Sequence, residues 1–237
     1  MKTLLNKKVI ITGATSGIGR CLTVKLLNAG ANVAFCGRSE IKMAQLLTEL
    51  KHIQNNFYYD TFDISNEDDI IRFVKNAFNS LGQFDILVNC AGVNSARASV
   101  SDIKTVDLEW MLRINLVAPF VFVREVYNSM RNKQKGLFIN VLSSACNFSN
   151  EGIGAYTASK AGFDALVKVF RKEVRDNNIR VCSIYPGGVN TPFRNKPNPE
   201  YLNPETVADA IISMMLSDEK SSIDELTIRP MIEKNYC

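Results

Sequence analysis

The stretch KVIITGATSGIG, Lys8 to Gly19, sets an unbroken apolar run against a turn with glycines at 13, 17 and 19. A short run that is apolar at every position, rather than at alternate ones, reads as a strand buried on both faces. The turn leads into a helix. Outward from this unit the same alternation repeats along the chain. Strand-like runs follow at NVAFCG (32–37), FYYDTF (57–62), FDILVN (84–89), GLFINVLS (136–143), RVCSIY (180–185) and DELTIR (224–229). Between them lie amphipathic segments. In EIKMAQLLTEL, Ile41, Ala44, Leu47 and Leu50 step every three residues; EDDIIRFVKNAFNSL and YTASKAGFDALVKVFRKEV behave likewise. Strands and helices in alternation predict the α/β class: one doubly wound domain over residues 1–237, a parallel sheet of about seven strands flanked by helices. The Pro- and Asn-rich stretch TPFRNKPNPEYLNPE (191–205) is expected to be a mobile loop before a last helix.

The 237 residues are 46% hydrophobic and 22% charged, with a formal charge of +4, the balance of an ordinary globular protein. Lys and Arg are dispersed rather than clustered, which argues against a nucleic-acid partner. No stretch approaches membrane-spanning length, and polar residues interrupt the N-terminal run too soon for a secretion signal. Cysteines 21, 36, 90, 146, 182 and 237 are widely spaced and form no C-x-x-C pair. Runs such as VAFCG use Cys as a small hydrophobe, so a reducing, cytoplasmic setting is expected. The single histidine, His52 in ELKHIQNN, reads as a solvated residue near a helix end. A Ser-His-Asp triad or a His-rich zinc site therefore has almost nothing to work with, and no metal is expected.

In a doubly wound sheet, ligands bind in the crevice beyond the carboxyl ends of the strands. There Gly13, Gly17 and Gly19 let the backbone turn tightly and approach a pyrophosphate, whose charge meets helix N–H groups and the positive end of the helix dipole. Thr15, Ser16 and Ile18 complete the turn. Its G-x-x-x-G-x-G spacing differs from the broader G-x-G-x-x-G fingerprint, and no Gly-Lys-Ser/Thr follows as in a Walker loop. After the second strand, Arg38 and Ser39 stand where an acidic residue would bond a ribose 2′-hydroxyl. A guanidinium suits a 2′-phosphate instead, so NADP(H) is expected ahead of NAD(H). The third strand ends in FDIS, with Asp63 placed for the adenine amino group and Ile64 beside it. The fourth ends in VNCAG, where Asn89, Ala91 and Gly92 would let a nucleotide pass close to the backbone.

The stretch GAYTASKAGF (154–163) puts Tyr156 one helical turn from Lys160 among small residues. Alone, such a pair is as readily a packed ring beside a solvated ammonium. Taken in order, TGATSGIG, VNCAG, the Ser143 of NVLSS, YTASK and YPGGVNT resemble the motifs of the classical short-chain dehydrogenases/reductases, over Lys8 to about Ser217. The resemblance implies a Rossmann-type fold with Ser143, Tyr156 and Lys160 as catalytic residues and Asn115, in MLRINLVAPF, as the fourth. It also implies that Pro186, Gly187, Val189 and Thr191 meet the nicotinamide end, and that Tyr156 and Lys160 touch the cofactor.

Hydride transfer to a carbonyl leaves negative charge on oxygen, which needs a proton donor and a hydrogen-bond partner. A free phenol titrates at roughly 10. The Lys160 ammonium and an oxidised nicotinamide are expected to lower that value, while Ser143 orients the substrate oxygen. In the family, Asn115 would hold a water at a distorted helix and link Lys160 to solvent. The reading is an NADP(H)-dependent carbonyl reductase or alcohol dehydrogenase acting on a small-molecule carbonyl or alcohol. A homotetramer or homodimer is expected, because PFVFVREVYNSM and TASKAGFDALVKVF carry apolar residues on more than one face. Two alternatives stay open: an NADP(H)-binding sensor without turnover, and a 3-oxoacyl thioester as substrate. A hydrolase using Ser143 with Lys160 would leave Tyr156 and the glycine turn without a role. Three departures stand out. Cys90 replaces the second Asn of the common NNAG, IDELTIRPMIEKNYC lacks the Gly-Gly ending of acyl-carrier reductases, and the loop 191–204 is short for a substrate lid.

Overall fold

The computed structural model describes residues 3–194, 197–218 and 220–234. Seven strands form one parallel sheet: β1 (Lys8–Thr12), β2 (Asn32–Gly37), β3 (Phe57–Thr61), β4 (Ile86–Asn89), β5 (Gly136–Val141), β6 (Ile179–Pro186) and β7 (Glu225–Ile228). Their order across the sheet is β3-β2-β1-β4-β5-β6-β7. The chain first winds outward from β1 to β3, then jumps back to β4 on the other side of β1. The winding direction thus reverses between β1 and β4, where Val9 pairs with Val33 on one side and Ile86 on the other. That reversal opens a crevice at the carboxyl ends of the two strands.

Period-two alternation sorts the central strands into two apolar layers. Val9 and Ile11 face the layer of α1 (Gly17–Asn28), α2 (Glu40–Glu49) and α7 (Pro204–Met215). Ile10 faces the layer of α3 (Glu67–Leu81), α5 (Ala118–Met130) and α6 (Gly154–Glu173). Val9, Ile10 and Ile11 are fully buried on both sides of β1, which is why its centre is apolar at every position. Each such Val or Ile contributes about 1.5–3 kcal/mol relative to exposure.

The helix α3 occupies the segment its spacing predicts. Asn66 caps it by accepting from the Asp68 N–H at 3.0 Å, Glu67, Asp68 and Asp69 complement the dipole, and Ile70, Phe73, Val74, Ala77 and Leu81 form the buried stripe. In α2 the expected face is corrected. Ile41 is 74% exposed and Ala44 is exposed too, while Leu47 is half-buried and Leu50, just past the helix, is buried as expected; Met43 and Leu46 form the buried stripe within α2. A strict three-residue step drifts around a helix of 3.6 residues per turn; steps of three and four stay on one face.

Between α4 (Thr105–Leu112) and α5 the helix widens into a π turn, Arg113–Val117. Pro119, in the first turn of α5, has no N–H to offer the Asn115 carbonyl four residues back, so an unbroken α-helix is disfavoured here. The last strand, β7, leads to a tail that folds back on β6: Gly187 N–H donates to Ile228 O at 2.8 Å and Gly188 N–H to Glu233 Oε1 at 2.7 Å. Asn195 and Lys196 of the loop read as a lid lie outside the described residues, as does Cys237. The described part of that loop is clamped at its base, where Asn190 N–H donates to Leu202 O at 2.8 Å and Leu202 N–H to Gly188 O at 3.0 Å. His52 is exposed in a single 3-10 turn after α2.

Candidate active site

The crevice is a cleft of about 640 Å³ running over the carboxyl ends of the strands. At one end the glycine turn links β1 to α1. Gly13 has φ +69°, and a Cβ there would lie 2.8 Å from Ala91 Cα; a Cβ on Gly19 would lie 2.3 Å from the Gly13 carbonyl oxygen. Only glycine permits this close packing. Thr12 Oγ1 accepts from both Cys90 N–H and Ala91 N–H at 3.0 Å, tying the turn to the end of β4. Ser16 occupies the N-cap of α1 without its side chain bonding the helix, and no acidic side chain sits in the first turn. The helix start thus presents backbone donors and positive dipole to the cleft, an anion-binding arrangement.

Thr15, Ser16, Gly17 and Ile18 all line this end. So do Arg38 and Ser39 after β2, and Asp63 and Ile64 after β3. Arg38 is 67% exposed in its side chain and only loosely paired, 3.8 Å from Asp63 Oδ2; Asp63 Oδ1 accepts the Ser65 N–H at 2.9 Å. Ser39 also caps α2. Lys42, on the first turn of α2, joins Arg38 at this end. The sequence reading missed it because Lys42 lies beyond the strand-end tripeptide that carries the signal.

Ala91 and Gly92 line the middle of the cleft, and Pro186, Gly187, Val189 and Thr191 the wall that follows β6. Asn89 does not face it. Its amide is buried between strands, donating to Asn140 Oδ1 at 3.0 Å, so this residue braces β4 against β5. The close backbone approach expected at 89–92 concerns the main chain, which this side-chain bond leaves in place. Cys90 packs against the apolar layer beneath, as a small hydrophobe would.

At the other end stand Ser143, Tyr156 and Lys160. Tyr156 is 8% exposed and Lys160 5%, both on the buried face of α6 with Ala155, Ser159, Phe163 and Asp164. The helix is held firmly. Tyr185 OH on β6 donates to Asp164 Oδ1 at 2.8 Å, and Arg171 donates to Val181 O at 2.6 Å. Asn115 lies outside the cleft lining, one layer behind. Its amide donates to Val93 O at 2.8 Å and Ser159 Oγ at 2.9 Å, while its Oδ1 accepts from Val93 N–H at 2.8 Å. Ser159 in turn donates to Tyr156 O at 2.7 Å. The π turn is therefore locked both to the loop after β4 and to the helix carrying Tyr156.

Lys160 donates to Val141 O at 3.0 Å and has no carboxylate partner among the described residues. Burial pulls its ammonium below the usual lysine range. Burial likewise pushes the Tyr156 phenol up to about 12, opposed by its hydrogen bond with Ser143 and by the charges of Arg194 and Arg97. The expected lowering of the phenol is thus reversed in the chain by itself. Desolvating a phenolate costs more than these neighbours return. Arg97, Phe193, Arg194, Tyr201 and Glu233 complete this end. None belongs to a motif, and only tertiary folding brings them together.

The short chain dehydrogenase family matches residues 7–202. An uncharacterised oxidoreductase of Staphylococcus saprophyticus is 30% identical, covering 98% of this chain and all of its own. Among solved structures, a metagenomic short-chain oxidoreductase in complex with NADP superposes with a TM-score of 0.86 at 27% identity, covering 98% of this chain and 100% of that one. Serine dehydrogenase from Escherichia coli gives 0.86 at 26% identity, over 96% and 99%. The fold and site define a Rossmann-type oxidoreductase of the doubly wound class. The chain belongs to the short-chain dehydrogenase family.

Proposed function

We propose that the protein moves a hydride between NADP(H) and the carbonyl or secondary alcohol of a small molecule, with Tyr156 as general acid and base. The observation that carries this reading is the buried Tyr156–Lys160 face of α6, with Ser143 bonded to the phenol, at the end of a cleft that begins in a glycine cradle. The residues present fit a dinucleotide. The uncapped start of α1 suits a pyrophosphate, Arg38 and Lys42 a 2′-phosphate, Asp63 with Ile64 an adenine, and Pro186 to Thr191 a nicotinamide. When bound, the nicotinamide supplies or accepts the hydride. Similarity to a relative solved with NADP supports the choice of cofactor.

Tyr156 gives its proton to the developing alkoxide in reduction and takes it back in oxidation. Ser143 holds the same oxygen and steadies the phenolate. Lys160, close to where a Gly92 side chain would start (3.2 Å), is in reach of a ribose while its charge favours the phenolate. At the distorted turn Asn115 would hold a water that relays protons from Lys160 outward. The same reading extends to a homotetramer or homodimer in a reducing cytoplasm. Phe120 on α5 and Val169 on α6 are 37% and 57% exposed, and the five described cysteines are free. The purified protein is to be screened with NADPH and NADH against aldehydes, ketones, sugars and 3-oxoacyl thioesters, following reduced-cofactor absorbance. NADPH oxidation by at least one class is expected. Tight NADPH binding without turnover anywhere would make the chain a sensor.

A further inference from the structure

Around Tyr156 the cleft carries positive charge that the hydride-transfer chemistry does not use. Arg97 lies between Ala96, which packs on the apolar cluster containing Tyr156, and Ala98, which bridges to Ile153 at the start of α6. Arg194 follows Phe193, whose ring centroid is 6.0 Å from that of Tyr156. The two guanidiniums therefore come from separate loops, one after β4 and one after β6, and both line the same end of the cleft. Among the described residues neither is in an ion pair. Arg194 is stacked on the Tyr201 ring at 4.5 Å, which fixes its plane without neutralising it. Elsewhere Arg20, Arg72, Arg124 and Arg171 all meet carboxylates.

The acidic groups nearby do not balance this charge. Glu233 is taken up by the Gly188 N–H at 2.7 Å and by Arg229 at 3.3 Å, and Asp63 sits at the far end beside Arg38. Glu151, exposed on the rim, is the one further carboxylate of the lining. Against Arg97 and Arg194 it leaves an excess of positive charge. The cofactor's phosphates have their own cradle at the glycine turn and at Arg38 and Lys42. Resting on the hydride-transfer reading, we propose that the substrate carries a carboxylate near its reacting carbonyl, bound by Arg97 and Arg194. A planar donor fork stacked on an aromatic ring is well suited to such a group. The substrate class is then oxo acids and the matching hydroxy acids.

The test compares acetoacetate with methyl acetoacetate, and 4-oxopentanoate with its methyl ester, in NADPH-linked reduction. The measured quantity is the acid-to-ester ratio of kcat/KM. Wild type is expected to favour an acid by about 10-fold or more, the scale of one charge-assisted hydrogen bond. The ratio should fall toward unity in the Arg97→Ala, Arg194→Ala double variant and stay unchanged in Arg131→Ala, which removes an exposed arginine outside the cleft. Equal use of acids and esters by wild type overturns the proposal and leaves hydride transfer standing. So does a double variant that keeps the ratio, or one whose loss appears as a weaker NADPH Kd. Acetoacetyl-CoA turned over far better than acetoacetate would assign the arginines to a thioester's phosphates, again against the proposal. No NADPH oxidation by either series or by the broader panel overturns both readings.

Discussion

Tyr156 sits where its neighbours disagree. Burial favours the neutral phenol and sets it at about 12, while the Ser143 hydrogen bond favours the phenolate. On the proposed mechanism alcohol oxidation needs the phenolate, so its rate should rise as pH passes through the phenol's pKa in the cofactor complex. Removing the Ser143 hydroxyl withdraws a stabiliser of the charged form and raises that pKa. Ser143→Ala should therefore shift the ascending limb of the kcat profile for oxidation to higher pH, beyond any fall in plateau rate. An unmoved limb would mean that Ser143 only positions substrate. Arg38 offers a second residue-scale test. Losing a charge-assisted contact costs roughly 1.5–3 kcal/mol, so Arg38→Ala should raise Kd for NADPH by about 10-fold or more and leave NADH nearly untouched, as read by fluorescence titration. Equal weakening for both cofactors would make Arg38 structural.

At the scale of elements, the sequence was most legible where local rules act alone. The run of α3 follows from its cap, its first-turn acids and its stripe; β1 follows from the consecutive apolar Val9, Ile10 and Ile11 at its centre. The phase of α2 was misread because a three-residue step looks periodic on paper yet spirals round a real helix. At Asn89 the side chain turns inward to Asn140, which the sequence does not show. A strand end shows which residues are near the cleft, but a one-residue change of facing decides between cleft and interior. Arg97, Arg194 and Glu233 carry no local signature, since loops and a tail distant in sequence deliver them, and Lys42 lies one helical turn past the strand-end signal. The distorted helix at Asn115 was expected from the resemblance alone; its local cause, Pro119 four residues on, shows only in the structure. The glycine cradle, by contrast, yields a sharp expectation. A side chain on Gly13 meets Ala91 Cα at 2.8 Å with φ at +69°. The strained backbone alone costs about 1–3 kcal/mol, so Gly13→Ala should lower Tm and abolish saturable NADPH binding. Normal binding in this variant would remove the turn from the cofactor site.

The whole molecule places its two chemical ends on one rigid scaffold. The glycine turn belongs to β1 and the proposed proton donor to α6, and β4 and β5 lie between them in the sheet order. On the proposed function, fixing both ends to strands and a long helix holds the reacting groups in register. On the proposed assembly, Phe120 and Val169, exposed on α5 and α6, lie in a face covered by a second copy. Light scattering at micromolar concentration should return the mass of a dimer or tetramer; a monomer would leave that face unexplained. The central claim is that Tyr156 moves the proton in an active enzyme. It is tested most directly by measuring NADPH-linked turnover and NADPH Kd side by side in wild type and Tyr156→Phe, which keeps the ring and removes only the hydroxyl. Turnover lower by at least about 100-fold, with Kd unchanged, is the result expected of a general acid. Full activity in Tyr156→Phe would contradict the account.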